Sequence, residues 1–251
     1  MSEIIAAGRR FEIETVVFDK DGTLVDFDHL WAPRTVRWAE RLAAETGVPR
    51  LAHALYRAVG YEPGKATATP DGPIAVGSMN DVYALAAGVL FQKGYDWHEG
   101  YSLVVGAAAE TLSAPAAAAE VRPRGDVAGA LRRLHAAGLR LAIATNDERA
   151  LTEAMLRHLG VAHLVAAMVC GDDGLLPKPD AAGLQRLAAQ LDTSTARMAM
   201  VGDSATDMLA GRNAGVAACI GVAGGAGKRE TLALYADVVV DGVDEIGIAD
   251  S

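Results

Sequence analysis

The chain has 251 residues, 51% of them hydrophobic and 22% charged, with a formal net charge of −9 at pH 7. This length admits one large domain, or a core with a smaller insertion, and buries a core without disulfide staples. An acidic chain with no lysine- or arginine-rich block is a poor partner for nucleic acid, which demands clustered positive charge.

Residues 1–15 hold a short apolar patch, then Arg9 and Arg10, then Glu12 and Glu14. They lack the basic start and long apolar run of a signal peptide. The alanine-rich stretch 103–119 is broken by Glu110 and Pro115, short of a membrane span. The expectation is a soluble, cytoplasmic protein with no membrane partner. Cys170 and Cys219, each ending an apolar run, read as buried thiols in a reducing compartment.

The first expected strand is Thr15-Val16-Val17-Phe18. Residues 27–120 then break from any strand rhythm. Helical spacing covers 29–45, 49–59, 80–93 and 99–112, with a long loop rich in glycine, proline and threonine at 60–78. From residue 122 helix and strand patterns alternate. Val127, Ala130, Leu131 and Leu134 share a helical face that Gly138 closes. Residues 139–144 form a buried strand with the polar tip Thr145-Asn146-Asp147. A helix carrying Leu151, Met155 and Leu159 follows, then a strand at 164–170 and a helix at 180–190 opened by Asp180 as N-cap. A strand at 198–201, a helix at 207–214 and strands at 216–221 and 238–240 complete the series.

Strands alternating with helices imply right-handed crossovers. The fold class is therefore α/β, a doubly wound parallel sheet with an inserted helical cap. Residues 1–26 and 121–251 would form the core and 27–120 the insertion. Ligands in such sheets bind at the carboxyl ends of the strands.

Those ends carry the chemistry. The first strand runs into Asp19-Lys20-Asp21-Gly22-Thr23, and the strand at 198–201 into Gly202-Asp203-Ser204-Ala205-Thr206-Asp207. Four converging carboxylates, Asp19, Asp21, Asp203 and Asp207, would repel strongly unless a hard divalent cation such as Mg2+ sat among them. Lys178, in Leu176-Pro177-Lys178-Pro179-Asp180, offers a counter-charge for a phosphoryl group. Thr145 and Asn146, at a strand-to-helix turn, offer a hydroxyl and backbone N–H groups to phosphate. Lys20, between two aspartates, is assigned only a surface salt bridge.

The order Asp19-x-Asp21-Gly22-Thr23, Thr145, Lys178 and Gly202-Asp203-x-x-x-Asp207 resembles the haloacid dehalogenase superfamily, nearest its phosphoglycolate-phosphatase-like branch. The tract 221–225 and the helix after it are similar to that branch as well. The resemblance implies a Mg2+-dependent phosphatase of a small phosphorylated metabolite, working through an aspartyl-phosphate intermediate. Asp19 would be the nucleophile, with its other oxygen on the metal. Asp21 would be general acid and then base, its backbone carbonyl on the metal. Thr145 would bond the phosphoryl group, Lys178 would neutralise it and orient Asp19, Asp203 would ligate the metal, and Asp207 would hold a metal-bound water. The insertion would act as a cap, with Arg34, Arg37, His53, Arg57 and Lys65 as candidate anion-binding groups. A phosphomutase of the same superfamily shares this chemistry, although Thr23 points away from it. A non-catalytic binding protein on the fold would be expected to lose one of Asp19, Asp21, Lys178 or Asp203. The sequence leaves the substrate and the oligomeric state open.

Overall fold

A computed structural model describes residues 2–249. The chain opens with β1 (Ser2–Ala6) and β2 (Arg9–Ile13), an antiparallel pair, before β3 (Thr15–Phe18). There follow α1 (Phe27–Thr46), α2 (Leu51–Val59), the short strands β4 (Tyr61–Glu62) and β5 (Thr67–Ala68), α3 (Pro73–Val76), α4 (Met79–Gln92) and α5 (Trp97–Ala109). The remainder alternates: α6 (Val127–Ala136), β6 (Arg140–Ala144), α7 (Arg149–His158), β7 (Val165–Val169), α8 (Ala182–Gln190), β8 (Met198–Gly202) and α9 (Ala205–Ala214). It closes with β9 (Ala218–Val222), α10 (Arg229–Tyr235), β10 (Val238–Val240) and β11 (Gly247–Ile248).

Six strands form one parallel sheet in the order β10-β9-β8-β3-β6-β7. Because successive side chains on a strand face opposite ways, each strand feeds two cores. Val16, Phe18, Leu141, Ile143, Ala199 and Val201 pack with α6 and α7 on one face. Val17, Ala142, Ala144, Met198 and Met200 pack with α8 and Ala210 on the other. Burial on both faces explains why these strands read as continuous apolar runs. The sheet is doubly wound, and β3 lies between β8 and β6. The tips of β3, β6 and β8 therefore adjoin.

Several local expectations change. Residues 1–15 carry two strands, and β11 completes a separate three-stranded sheet with them in the order β11-β1-β2. In β2 the exposed charged residues Arg9, Arg10 and Glu12 flank the buried Phe11 and Ile13, too short a pattern to stand out. The loop at 60–78 contains the β4–β5 hairpin and the one-turn α3. Helix α8 starts at Ala182 rather than at Asp180, whose carboxylate accepts from the Ala182 N–H at 2.8 Å. Helix α9 starts at Ala205, capped by Ser204, whose hydroxyl and Asp207 form a reciprocal capping box.

Helices α1, α2, α4 and α5 bury a second, largely separate hydrophobic cluster around Leu30, Trp38, Leu42, Leu55 and Leu90. Trp38 is fully buried, and its indole N–H donates to the Val104 carbonyl at 3.3 Å. Arg34 is buried too. It donates to the carbonyls of Leu112 and Ala114 at 2.9 and 2.7 Å and to Glu120 at 2.8 Å. Burial alone would raise the Glu120 carboxyl, but Arg34, the Ala117 N–H and Arg37 outweigh it and hold the group down at about 2. Arg34 thus ties α1 to the segment that returns to the sheet. Trp38→Ala should cost about 3–5 kcal/mol in urea unfolding, the usual range for a fully buried aromatic ring. A loss below about 1 kcal/mol would mean that this cluster collapses around the gap.

Candidate active site

The site is assembled by three adjacent strand tips. Asp19 follows β3, and its N–H donates to the Val201 carbonyl on β8 at 2.9 Å, which fixes its backbone against the neighbouring strand. The chain then turns sharply at Gly22, whose φ of +79° suits glycine. A Cβ there would lie 2.1 Å from an Asp203 carboxylate oxygen, so the position also demands the absence of a side chain. Gly225 is held the same way from the other side, with its hypothetical Cβ 2.3 Å from Asp203. Asp203 is 1% exposed and is gripped by the Thr23 hydroxyl at 2.9 Å and the Ala226 N–H at 2.6 Å.

Lys178 reaches in from the loop before α8. Its ammonium donates to Asp19 at 2.7 Å, Asp207 at 2.6 Å and the Ala144 carbonyl at 2.8 Å, so one cation joins the ends of β3 and β6 to the first turn of α9. Asn146 secures the loop that carries it. Its side-chain oxygen accepts from the Lys178 N–H at 2.8 Å and its amide donates to the Lys178 carbonyl at 3.1 Å. The Asn146 side chain is thus spent on Lys178, and only its backbone remains for a substrate. Thr145 is buried, and its hydroxyl accepts from the Asp147 N–H at 3.1 Å. Asp207 uses one oxygen on Lys178 and the other on the Ser204 N–H and hydroxyl at 3.0 and 2.6 Å.

Asp19, Asp203 and Asp207 each place a carboxylate oxygen within 4.8 Å of the other two. Burial pushes the Asp19 carboxyl up to about 7; Lys178 opposes the rise, and Asp207 and Asp21 add to it. Burial likewise drives Asp203 well above the ordinary range, with the charges of Asp19 and Asp207 adding. A buried, all-oxygen trio under such repulsion has the donor chemistry of a hard divalent cation site. Asp21 stands apart from the trio. One of its carboxylate oxygens is buried with no hydrogen-bond partner among the described residues.

Lys20 is not on the surface. It is fully buried, its ammonium paired with Asp21 and with Asp147, the latter at 2.6 Å, and lying 5.9 Å from the centre of the Trp31 ring. Burial would pull this lysine down, but Asp147 and Asp21 outweigh it and hold it above the ordinary value. The surface assignment fails because the next residue on an inner strand tip has no outward side to face. Sequence reasoning also missed Asp147 as its partner. The available signal was a lysine inside an acidic strand tip together with an aspartate at the neighbouring tip.

A pocket lies over these groups, lined on the sheet side by Asp19, Asp21, Thr145, Lys178 and Asp203 and on the other by α1 and the α3–α4 turn. None of Arg34, Arg37, His53, Arg57 or Lys65 lines it. Arg34 and Arg37 are occupied by Glu120, Lys65 pairs with Glu62, and His53 and Arg57 are exposed elsewhere. Lys20→Met should cost about 3–5 kcal/mol, because it leaves Asp147 and Asp21 buried without their cation. Adding Asp147→Asn should recover most of that loss in urea unfolding. Wild-type stability in Lys20→Met alone would show the buried pairs to be dispensable.

Comparison with known proteins adds independent findings. A phosphoglycolate phosphatase of Cupriavidus necator is 31% identical over 92% of this chain and 90% of its own length. A phosphoglycolate phosphatase of Chromobacterium violaceum is 30% identical over 93% of this chain and 95% of its own. The crystal structure of a predicted phosphoglycolate phosphatase from Haemophilus somnus superposes with a TM-score of 0.68 at 20% identity, covering 93% of this chain and 96% of that one. The family model for haloacid dehalogenase-like hydrolases matches residues 13–215, a span that includes Asp19, Asp21, Thr145, Lys178, Asp203 and Asp207, and the chain belongs to that family.

Proposed function

We propose that this hydrolase is a Mg2+-dependent phosphatase of a small phosphomonoester, acting through a covalent phospho-Asp19 intermediate. The observation that carries the reading is the position of Lys178, which bonds Asp19 and Asp207 at once beside Asp203. One lysine and one metal ion there would offset the charge of a phosphoryl group. Asp19, Asp203, Asp207 and the Asp21 backbone carbonyl would hold the Mg2+, whose contribution is charge neutralisation at the phosphoryl oxygens.

An Asp19 carboxylate oxygen attacks phosphorus, and the P–O bond to the organic group breaks in line. The departing alkoxide takes its proton from Asp21. Asp21 then takes a proton from water, the hydroxide oxygen bonds phosphorus, and Asp19 is released with inorganic phosphate. The unpartnered Asp21 oxygen supports this assignment, because the Lys20 pair occupies the other one. Thr145 and the Asn146 backbone would receive the phosphoryl oxygens.

Residues 27–120 are proposed as the cap and residues 1–26 and 121–251 as the core, a division supported by the separate hydrophobic clusters. A cap would exclude water and shape selection. The mutase alternative needs a bisphosphate, and the absence of an Arg, Lys or His from the α1 and α3–α4 side of the pocket disfavours a second phosphate. Among the described residues no helix is long and apolar enough to cross a membrane. The two buried free thiols support a reducing compartment, and the cytoplasm is proposed on that ground.

Asp19→Asn should abolish at least about 1,000-fold of turnover while circular dichroism stays unchanged. Chelation should silence the wild type and Mg2+ should restore it; full activity in excess chelator would overturn the metal assignment. Asp21→Asn should slow an alkyl phosphate far more than para-nitrophenyl phosphate, whose leaving group needs little protonation. Equal losses on both would remove Asp21 from the acid role.

A further inference from the structure

The wall of the pocket that faces the phosphoryl site is apolar and carries no charge of its own. Phe27 and Trp31 come from α1, and Ile74, Ala75, Val76 and Met79 from the α3–α4 turn. Several backbone N–H groups of this segment are also committed. The N–H groups of Ala75 and Val76 donate to the Gly72 carbonyl, that of Gly77 to the Pro73 carbonyl and that of Ser78 to Asp81. On this wall the buried Trp31 indole N–H has no partner among the described residues, and it is neutral.

The sheet side of the same pocket is already rich in negative charge. Asp19, Asp21, Asp147, Asp203 and Asp207 face only Lys178 and the buried Lys20. With a divalent cation added, five carboxylates still exceed the positive charge by one. A second anionic group on the substrate, beyond the phosphoryl group, would meet apolar walls, no free cation and a repulsive floor. A buried unpaired charge of that kind is strongly disfavoured.

We infer that the substrate is a phosphomonoester whose organic group is uncharged and largely apolar, and that a carboxylate-bearing ester is a poor substrate. This rests on the phosphatase reading and sharpens it. It also separates this chain from the activity named for its relatives. The aromatic faces of Phe27 and Trp31 give the organic group its contact area, and the Trp31 indole N–H would donate to one neutral oxygen. Selection here works by rejection, since the site offers nothing to a second charge.

The test compares isobutyl phosphate with phosphoglycolate, which share a shape and differ in the carboxylate. With Mg2+ present, kcat/KM should favour isobutyl phosphate by about 100-fold or more, as expected for an unpaired buried charge. Benzyl phosphate should be turned over at least as well as isobutyl phosphate. Calorimetry on the Mg2+-loaded protein should give the same order for the non-hydrolysable pair, isopentylphosphonate over phosphonopropionate. Val76→Lys and Met79→Lys, tested separately, should each move the ratio toward phosphoglycolate by about tenfold. Equal or better turnover of phosphoglycolate by the wild type, or an unchanged ratio in both lysine variants, would overturn the inference and leave the phosphatase reading intact. Failure to hydrolyse any of the three esters would instead overturn the phosphatase reading, and the inference with it.

Discussion

Five carboxylates converge where three parallel strands end, and their mutual repulsion is the constraint to which the rest of the site is fitted. Asp19, Asp21, Asp147, Asp203 and Asp207 lie too close together to remain charged in a buried pocket without compensation. The compensation comes from two lysines placed on opposite sides. Lys178 binds Asp19 and Asp207, and Lys20 binds Asp21 and Asp147. Lys20 is fully buried and the Lys178 side chain is 9% exposed, so each depends on its carboxylates for compensation. The two halves of the site hold one another in place. Asp203 is left with only neutral donors, Thr23 and Ala226. That imbalance is what invites a cation.

The sheet delivers this arrangement because its centre is a switch point. From β3 the chain returns on one side as β6 and on the other as β8, so the loops leaving all three tips diverge above a shared crevice. Backbone packing then sets the spacing. Gly22 and Gly225 let two loops close on Asp203 at distances no Cβ would tolerate. The floor of the site is therefore closely packed around Asp203.

The opposite wall is built differently. It belongs to helices with their own hydrophobic cluster, and their basic side chains are turned away to Glu120, Glu62 and solvent. Charge handling sits on the sheet and shape lies opposite it.

The sequence by itself determined the alternation of strands and helices, the insertion between β3 and β6, and the residues that stand at the strand tips. These are local properties, carried by apolar runs, turn glycines and short acidic motifs that the chain expresses within a few residues of one another. It did not determine what each polar side chain would face. Lys20 reads as exposed because its partner Asp147 lies beyond the tip of β6, more than a hundred positions away, and the fold alone pairs them. The Asn146 side chain pointed toward phosphate until the fold brought Lys178 beside it. Arg34 looked available for anions, yet packing buries it against the carbonyls of Leu112 and Ala114. The N-terminal hairpin is not legible in the sequence because its strands are short and are completed by β11 from a distant part of the chain. In each case the deciding partner is distant in sequence, and only tertiary structure fixes which charges meet and which are left without a counterpart.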